Sequence, residues 1–330
     1  MKKVVYSRAP VRICDIGGWT DTWFYPKGAV FNIAVDLYNY IRVCENNRNS
    51  IRITSENLEI NTEFDVNNIV YDGKLDLLKA VINRMDINKG IDVLVRSDMP
   101  PGCGTGTSAS VAVALISALC NFQGEEKDPS EIANLAHQIE TDELKLESGV
   151  QDQYAAAHGG INFMEIDYPS VKITPINITK RRIYEYENQL ILVYFGSRSS
   201  SEIHEAVIKK FKQNDEKVIK AFDTIKNCAL EMKDSFKLTM EDIGEILSRN
   251  WEAQKLLHPL MTNTTIEKAE KIARNKGALG FKCNGAGGGG SATVLANPED
   301  VYSLKKEYTR NGYTLLPCKL NFEGVYSFIL

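Results

Sequence analysis

The 330-residue chain has no CxxC pair and no Cys/His cluster with zinc-ligand spacing. Its seven cysteines (Cys14, Cys44, Cys103, Cys120, Cys228, Cys283 and Cys318) are scattered and odd in number, which argues against a metal cluster and a disulfide framework. Neither charge is in excess: 39 Lys and Arg face 43 Asp and Glu, a formal net charge of -4. Without a basic stripe or patch, no nucleic-acid partner is expected. The longest apolar run, Ala109 to Cys120, is too short for a bilayer and contains Ser110 and Ser117, so no membrane partner is expected. The N-terminal MKKVVYSRAPVRI carries basic residues but no apolar core or cleavage site, and the expected location is cytoplasmic. Internal repeats and low-complexity linkers are missing too. What is there is an ordinary globular composition, 43% hydrophobic and 25% charged, in a chain long enough for two closely packed domains.

The first third reads mainly as strands. Val4-Val5, Val11–Ile13, Ala29–Val35 and Ile41–Val43 are short β-rich runs, and Ile51–Ile53 with Leu58–Ile60 suggests a hairpin. A helix is expected over Asp76–Met85 and a buried strand over Ile91–Val95. Asp128, Pro129 and Glu131 have the spacing of an N-cap, a first helical position and a capping box, ahead of Ile132, Leu135, Ala136 and Ile139 at helical intervals. A second unit opens near Gln189 with the apolar LILVYFG. Helical stretches are expected over 202–232 and 240–256, then strand, glycine-rich turn and strand over Phe281–Ala296. A helix over 300–310 and a final strand pair close the chain.

Three motifs carry chemistry. In the first, Pro100 to Ser108 (PPGCGTGTS), glycines allow a tight turn whose N–H groups converge on phosphate oxygens. The following helix points its N-terminus at the same place, and Thr107 or Ser108 offers a hydroxyl for Mg²⁺. The same residues also read as a plain strand-to-helix turn. No Gly-Lys-Ser/Thr occurs, so this is not a Walker A loop; nor does the third glycine stand where a dinucleotide fingerprint requires it, and no distal acid follows. The second motif is Glu140 with ESGVQDQ, Glu147 to Gln153. Phosphoryl transfer needs one carboxylate to hold Mg²⁺ and another to take the proton of the attacking hydroxyl; the plainer reading makes Asp152 a helix N-cap. The third is RICDIGGWTD, Arg12 to Asp21, where Gly17 and Gly18 break a strand. There Trp19, Thr20 and Asp21 can form a sugar-gripping wall, or Trp19 and Trp23 can simply be core.

Together these motifs resemble the GHMP kinase family, named for galactokinase, homoserine kinase, mevalonate kinase and phosphomevalonate kinase. APVRICDIGGWTD, PPGCGTGTSAS and NGAGGGGSATVL are similar to the family's three motifs, in its order and across nearly the whole chain. SGVQDQYAAAHGGINFMEI, IGEILSRNWEAQK and GSRSSSEIHE are most similar to the D-glycero-D-manno-heptose 7-phosphate kinase subgroup, and GGWTDT to fucokinases. The resemblance implies an α+β fold of two domains with the active site between them. A ribosomal protein S5 domain 2-like, ATP-binding domain would span 1–185, and a ferredoxin-like α/β sandwich 186–330.

The resemblance also implies residue roles. Asp152 matches the catalytic base and Arg12 the basic group that orients it. Pro101, Gly102, Cys103, Gly104, Thr105, Gly106, Thr107 and Ser108 match the loop around the ATP phosphates. Ser108 and Glu140 match the Mg²⁺ ligands. Asp21 matches the sugar-binding acid, with Gly18, Trp19 and Thr20 beside it, and Gly287 and Gly288 match the substrate side of the glycine-rich turn. Two departures stand out: Thr105 replaces the usual Leu, and Ala109 a frequent third Ser or Thr. The expected reaction moves the γ-phosphoryl group of ATP to the anomeric hydroxyl of a sugar or sugar phosphate. Lys180, Arg181, Arg182 and Arg198 are candidates for a distal phosphate, and monomer and homo-oligomer both stay open. A fucokinase-like aldose 1-kinase is the alternative. A catalytically silent sugar-sensing regulator is a rival from another class, and would have lost a catalytic group.

Overall fold

The computed structural model describes residues 2–197 and 201–330. The chain runs β1 (Val4–Ile16), β2 (Lys27–Glu45), β3 (Ser50–Ser55), β4 (Ile60–Asp65), α1 (Asp76–Arg84), β5 (Ile91–Ser97), α2 (Thr107–Gln123) and α3 (Pro129–Gln138). A π-helical turn (Ile139–Glu143) leads to α4 (Gln151–His158), β6 (Ile161–Asp167), β7 (Ser170–Pro175), α5 (Lys180–Gln189) and β8 (Leu190–Gly196). Then come α6 (Ser201–Lys212), α7 (Glu216–Met232), α8 (Met240–Leu257), α9 (Thr264–Asn275), β9 (Ala278–Cys283), β10 (Gly290–Ala296), α10 (Val301–Arg310), β11 (Thr314–Leu316) and β12 (Tyr326–Ile329).

The short apolar runs of the first third fuse into two long antiparallel strands, β1 and β2. β2 is long enough to pair with β5 at one end and β6 at the other. The resulting eight-stranded sheet has the order β12-β1-β2-β5-β3-β4, with β6 and β7 continuing from β2. Its core packs on α2, whose residues from Ala109 to Phe122 are almost all buried, as befits a helix apolar on every side. The capping box at the start of α3 forms as expected: Asp128 accepts the Glu131 N–H and Glu131 reaches back to the Asp128 N–H.

The second sheet is antiparallel with order β11-β8-β10-β9. Numbered by its own strands that is 4-1-3-2, the order of a ferredoxin-like sandwich, with α8 and α9 against β9. Several expectations change here. The final strands do not pair with each other: β11 joins β8, while β12 returns to β1. Within the stretch 186–330, β12 thus joins the first sheet, and residue 185 lies inside α5. The helical stretch at 202–232 is two helices, because Asn214 turns left-handed (φ 55°) and Asp215 caps α7 through the Lys217 and Val218 N–H groups. Leu58 lies in the turn before β4. No helix among the described residues is long and apolar enough to cross a membrane.

Candidate active site

The loop between β5 and α2 turns through three left-handed glycines, Gly102, Gly104 and Gly106, with φ of 66°, 78° and 73°. Gly106 occupies the N-cap position of α2, and no side chain caps that end. The first-turn amides of α2, carrying the positive end of its dipole, are thus left for a ligand. Pro101, Gly102, Cys103, Gly104, Gly106, Thr107 and Ser108 line a cavity of about 890 Å³. Thr105 is the exception: it is buried, and its carbonyl accepts the Arg12 N–H at 3.0 Å. Its hydroxyl lies 3.4 Å from that of Thr107, which does line the cavity.

Asp152 sits in the first turn of α4, facing this loop. It is not an N-cap, since Val150 holds that position. Arg12, on β1, donates from Nε to Asp152 Oδ1 at 2.8 Å and from Nη1 to the Gly104 carbonyl at 2.6 Å. A Cβ on Gly106 would lie 3.0 Å from Asp152 Cγ, so the missing side chain lets the carboxylate lie directly against the glycine loop. Burial alone would weaken protonation of Arg12, but Asp152, and then Asp15, more than reverse this. The guanidinium stays charged.

Asp21 lines the cavity and is 2% exposed. Its Oδ2 accepts the Gln151 N–H at 3.1 Å, so it supplies from outside the cap that α4 lacks. Gly149 makes room, because a Cβ there would meet Asp21 Oδ2 at 2.1 Å. Burial pushes the Asp21 carboxyl up to about 6; the Gln151 N–H opposes this, Asp152 adds to it, and Arg12 pulls back. Trp19, at φ 80°, also lines the cavity and meets His204 edge to face at 4.9 Å. Trp23 is part of the wall too, half exposed rather than core.

Four expected substrate residues stand back from the cavity. Thr20 is fully buried and bonds the Gly17 and Ala29 carbonyls, 2.8 and 3.0 Å. Gly18 packs against Asp15 and Gln151. Gly287 and Gly288 turn toward Met261 and Leu260, and the Gly288 N–H donates to the Met261 carbonyl at 2.7 Å. Gly285 and Ala286 line the cavity in their place. A tight β9–β10 turn exposes only its leading edge to the cleft.

Glu140 projects into the cavity from the π-helical turn, 4% exposed. Its Oε2 accepts from Ser148 Oγ and from Gln153 Nε2, both neutral donors. Burial pushes its carboxyl up to about 7, the two hydrogen bonds pull it down, and Asp152 raises it further. A buried carboxylate held only by neutral groups, in a cavity that Ser108 also lines, fits a hard cation. Among the described residues no three His, Cys, Asp or Glu form a complete metal cluster. Remaining ligands would then come from phosphate and water, as is usual for Mg²⁺.

The cavity is long. Beside β1 it is walled by Trp19, Asp21, His204, Glu205 and Ile208. At the other end it is apolar, lined by Leu58, Ile60, Leu75, Leu78 and Val95. β3 lies three strands from β1, roughly 14 Å at ordinary strand spacing. Lys282 and this apolar end were not anticipated, and Asp15, Ser148, Gln153 and His204 lay in motifs or segments already singled out but were given no role there. His204 lies in GSRSSSEIHE, which was singled out only for its similarity to the heptose kinase subgroup. Of the distal-phosphate candidates, Arg181 pairs with Glu185, and Arg182 bonds the Leu238 carbonyl and pairs with Glu185. Neither they nor Lys180 line the cavity, and Arg198 lies outside the described residues.

Family models for the GHMP kinases N terminal domain and the GHMP kinases C terminal match residues 68–160 and 232–314. The chain is 31% identical to the D-glycero-alpha-D-manno-heptose 7-phosphate kinase of Campylobacter jejuni, over 98% of this chain and 99% of that protein. The chain belongs to the GHMP kinase family. This GHMP kinase is also 26% identical to the L-fucokinase/L-fucose-1-P guanylyltransferase of Bacteroides fragilis, over 94% of its own length but 36% of that protein. Its fold matches a D-glycero-D-manno-heptose 1-phosphate kinase structure from Bacteroides thetaiotaomicron, with a TM-score of 0.81, 24% identity and 98% of each chain covered.

Proposed function

We propose that this ATP-dependent sugar kinase transfers the γ-phosphoryl group to the anomeric hydroxyl of D-glycero-D-manno-heptose 7-phosphate. The observation that carries the reading is the contact between Asp152 and the phosphate loop: a carboxylate oriented by Arg12 at 2.8 Å lies against Gly106, at the uncapped start of α2. A proton acceptor and a phosphate cradle that close to each other suit direct, in-line transfer. The adenine would occupy the apolar end, and its phosphates the loop and the α2 amides. Asp21 and Trp19 would grip the sugar, the acid on hydroxyls and the ring on C–H faces. Asp152 would accept the proton of the anomeric hydroxyl, which is more acidic than an ordinary alcohol, while Arg12 steadies the carboxylate and faces the transferring group. Ser108 and Glu140 would hold Mg²⁺, whose charge would offset that of the phosphates.

The heptose 7-phosphate is favoured by the full-length similarity to the Campylobacter kinase. A second reading, a free aldose as in a fucokinase, is favoured by the position of Arg181 and Arg182, which are engaged elsewhere and do not reach the cavity. ADP release from MgATP across heptose 7-phosphate, L-fucose and other aldoses separates the two. Turnover confined to the heptose phosphate is expected, and turnover on free fucose alone would reassign the acceptor.

A further inference from the structure

Lys282, next to last in β9, is fully buried, and so is Asp15 on β1. Lys282 Nζ lies 3.0 Å from Asp15 Oδ1 and also donates to the Cys283 carbonyl at 3.0 Å. The other Asp15 oxygen accepts the Gly285 N–H at 3.0 Å and lies 3.9 Å from Arg12 Nη2. Arg12 in turn holds Asp152. The result is a chain of alternating charge, Lys282, Asp15, Arg12 and Asp152, that starts in the second sheet and ends at the proposed base.

The backbone is bent to build it. Ile13 pairs with Ile33 and Ile16 with Phe31, so β1 advances three residues where β2 advances two. That is a bulge, a device that re-aims a side chain next to a site. Cys14 takes a left-handed φ of 55° at this point, an unfavourable conformation for a residue with a side chain. Its N–H turns to Asn284 Oδ1 and Thr293 Oγ1 across the sheets, at 3.2 and 3.3 Å. The Gly17 N–H bonds Asn250 Oδ1 at 2.9 Å. The two halves are thus joined beside the cleft by aimed polar groups as well as by apolar packing.

We infer that Asp15 is a positioning residue for phosphoryl transfer, with Lys282 as its counter-charge. This rests on the reading of Asp152 as the base. Asp15 braces the third face of the Arg12 guanidinium, whose other faces go to Asp152 and Gly104, and pins Gly285, which lines the cavity, through its N–H. Lys282 has a second duty. Without it, Asp15 would stand as an extra buried anion competing with Asp152 for Arg12. With it, Asp15 is neutralised from behind, and the charge of Arg12 remains available to Asp152 and the transferring phosphoryl group. The pair therefore links the second sheet's glycine-rich turn to the geometry of the base.

The test compares Asp15→Asn, Lys282→Met and the double variant for thermal midpoint and for kcat and KM on MgATP and on whichever acceptor the wild type turns over. That choice keeps a wrong acceptor from being mistaken for a wrong positioning residue. Asp15→Asn is expected to lower the thermal midpoint, because Lys282 loses its carboxylate, and to lower kcat by about tenfold or more with both KM values changed by less than about threefold. The double variant removes both buried charges, so its thermal midpoint returns toward wild type while kcat stays low. Recovery of kcat together with the midpoint would overturn the proposal by making the pair a packing feature. A raised sugar KM with unchanged kcat would overturn it by making Asp15 a binding group.

Discussion

Asp21 shows how one carboxylate serves the fold and the site at opposing cost. It caps α4 through the Gln151 N–H, yet it is 2% exposed and pushed from 3.8 to about 6 mainly by burial. The sign follows from linkage: between those values the folded chain binds more protons than the unfolded one, so stability from this group is lost as pH rises through about 6. Asp21→Asn keeps an acceptor for Gln151 and removes the charge. It is expected to flatten the fall in thermal midpoint between about pH 4 and 6 while lowering kcat/KM for the sugar, since the grip on hydroxyls weakens. Thermal unfolding across that range together with steady-state kinetics checks this, and an unchanged pH slope would contradict it. At this scale the local motifs singled out Arg12, Asp21, Glu140 and Asp152, and the structure brings all four to one cavity. Thr20 and Gly18, from the same motif as Arg12 and Asp21, do not line that cavity, because the motif also needs residues that build its turn. Asp15 and Lys282 were not legible: their partnership spans 267 positions and depends on a bulge that no local pattern announces.

The glycine loop ahead of α2 is the element on which the reading turns. Gly106 is left-handed, and a Cβ there would press on the Asp152 carboxylate. Gly106→Ala therefore carries both a backbone and a contact penalty. It is expected to lose about 1–3 kcal/mol of stability, with kcat down by on the order of 10–10² as the carboxylate is displaced. Chemical denaturation and kinetics measure the two separately, and a variant with normal kcat would detach the loop from the base. Among other elements, α3 was legible through its capping box and α2 through its continuous apolar run. The helix α9 was overlooked, although Asn263 caps it through the Thr265 and Ile266 N–H groups, and Ile266, Ala269 and Ala273 are buried at helical spacing. The strands β6 and β7 were missed: β6 breaks its alternation at Phe163 and Met164, whereas Ser170–Thr174 alternates cleanly and was a signal that went unread.

For the whole molecule, two domains with the site between them followed from chain length and from the order of the three motifs. The return of β12 to β1 did not. A four-residue strand near the end of a chain carries no sign of its partner, and only the edge that β1 offers decides it. At the junction of the two sheets the glycine loop, the proposed base, the proposed sugar wall and the buried charge chain meet. The most direct test is ADP release from MgATP and sugar phosphate by wild type and Asp152→Asn, with folding verified by the thermal midpoint. A variant that folds normally, binds ATP and loses on the order of 10²–10⁴ in turnover is the predicted result. Turnover like that of the wild type would contradict the assignment of Asp152 as the proton acceptor, and with it the mechanism built on that contact.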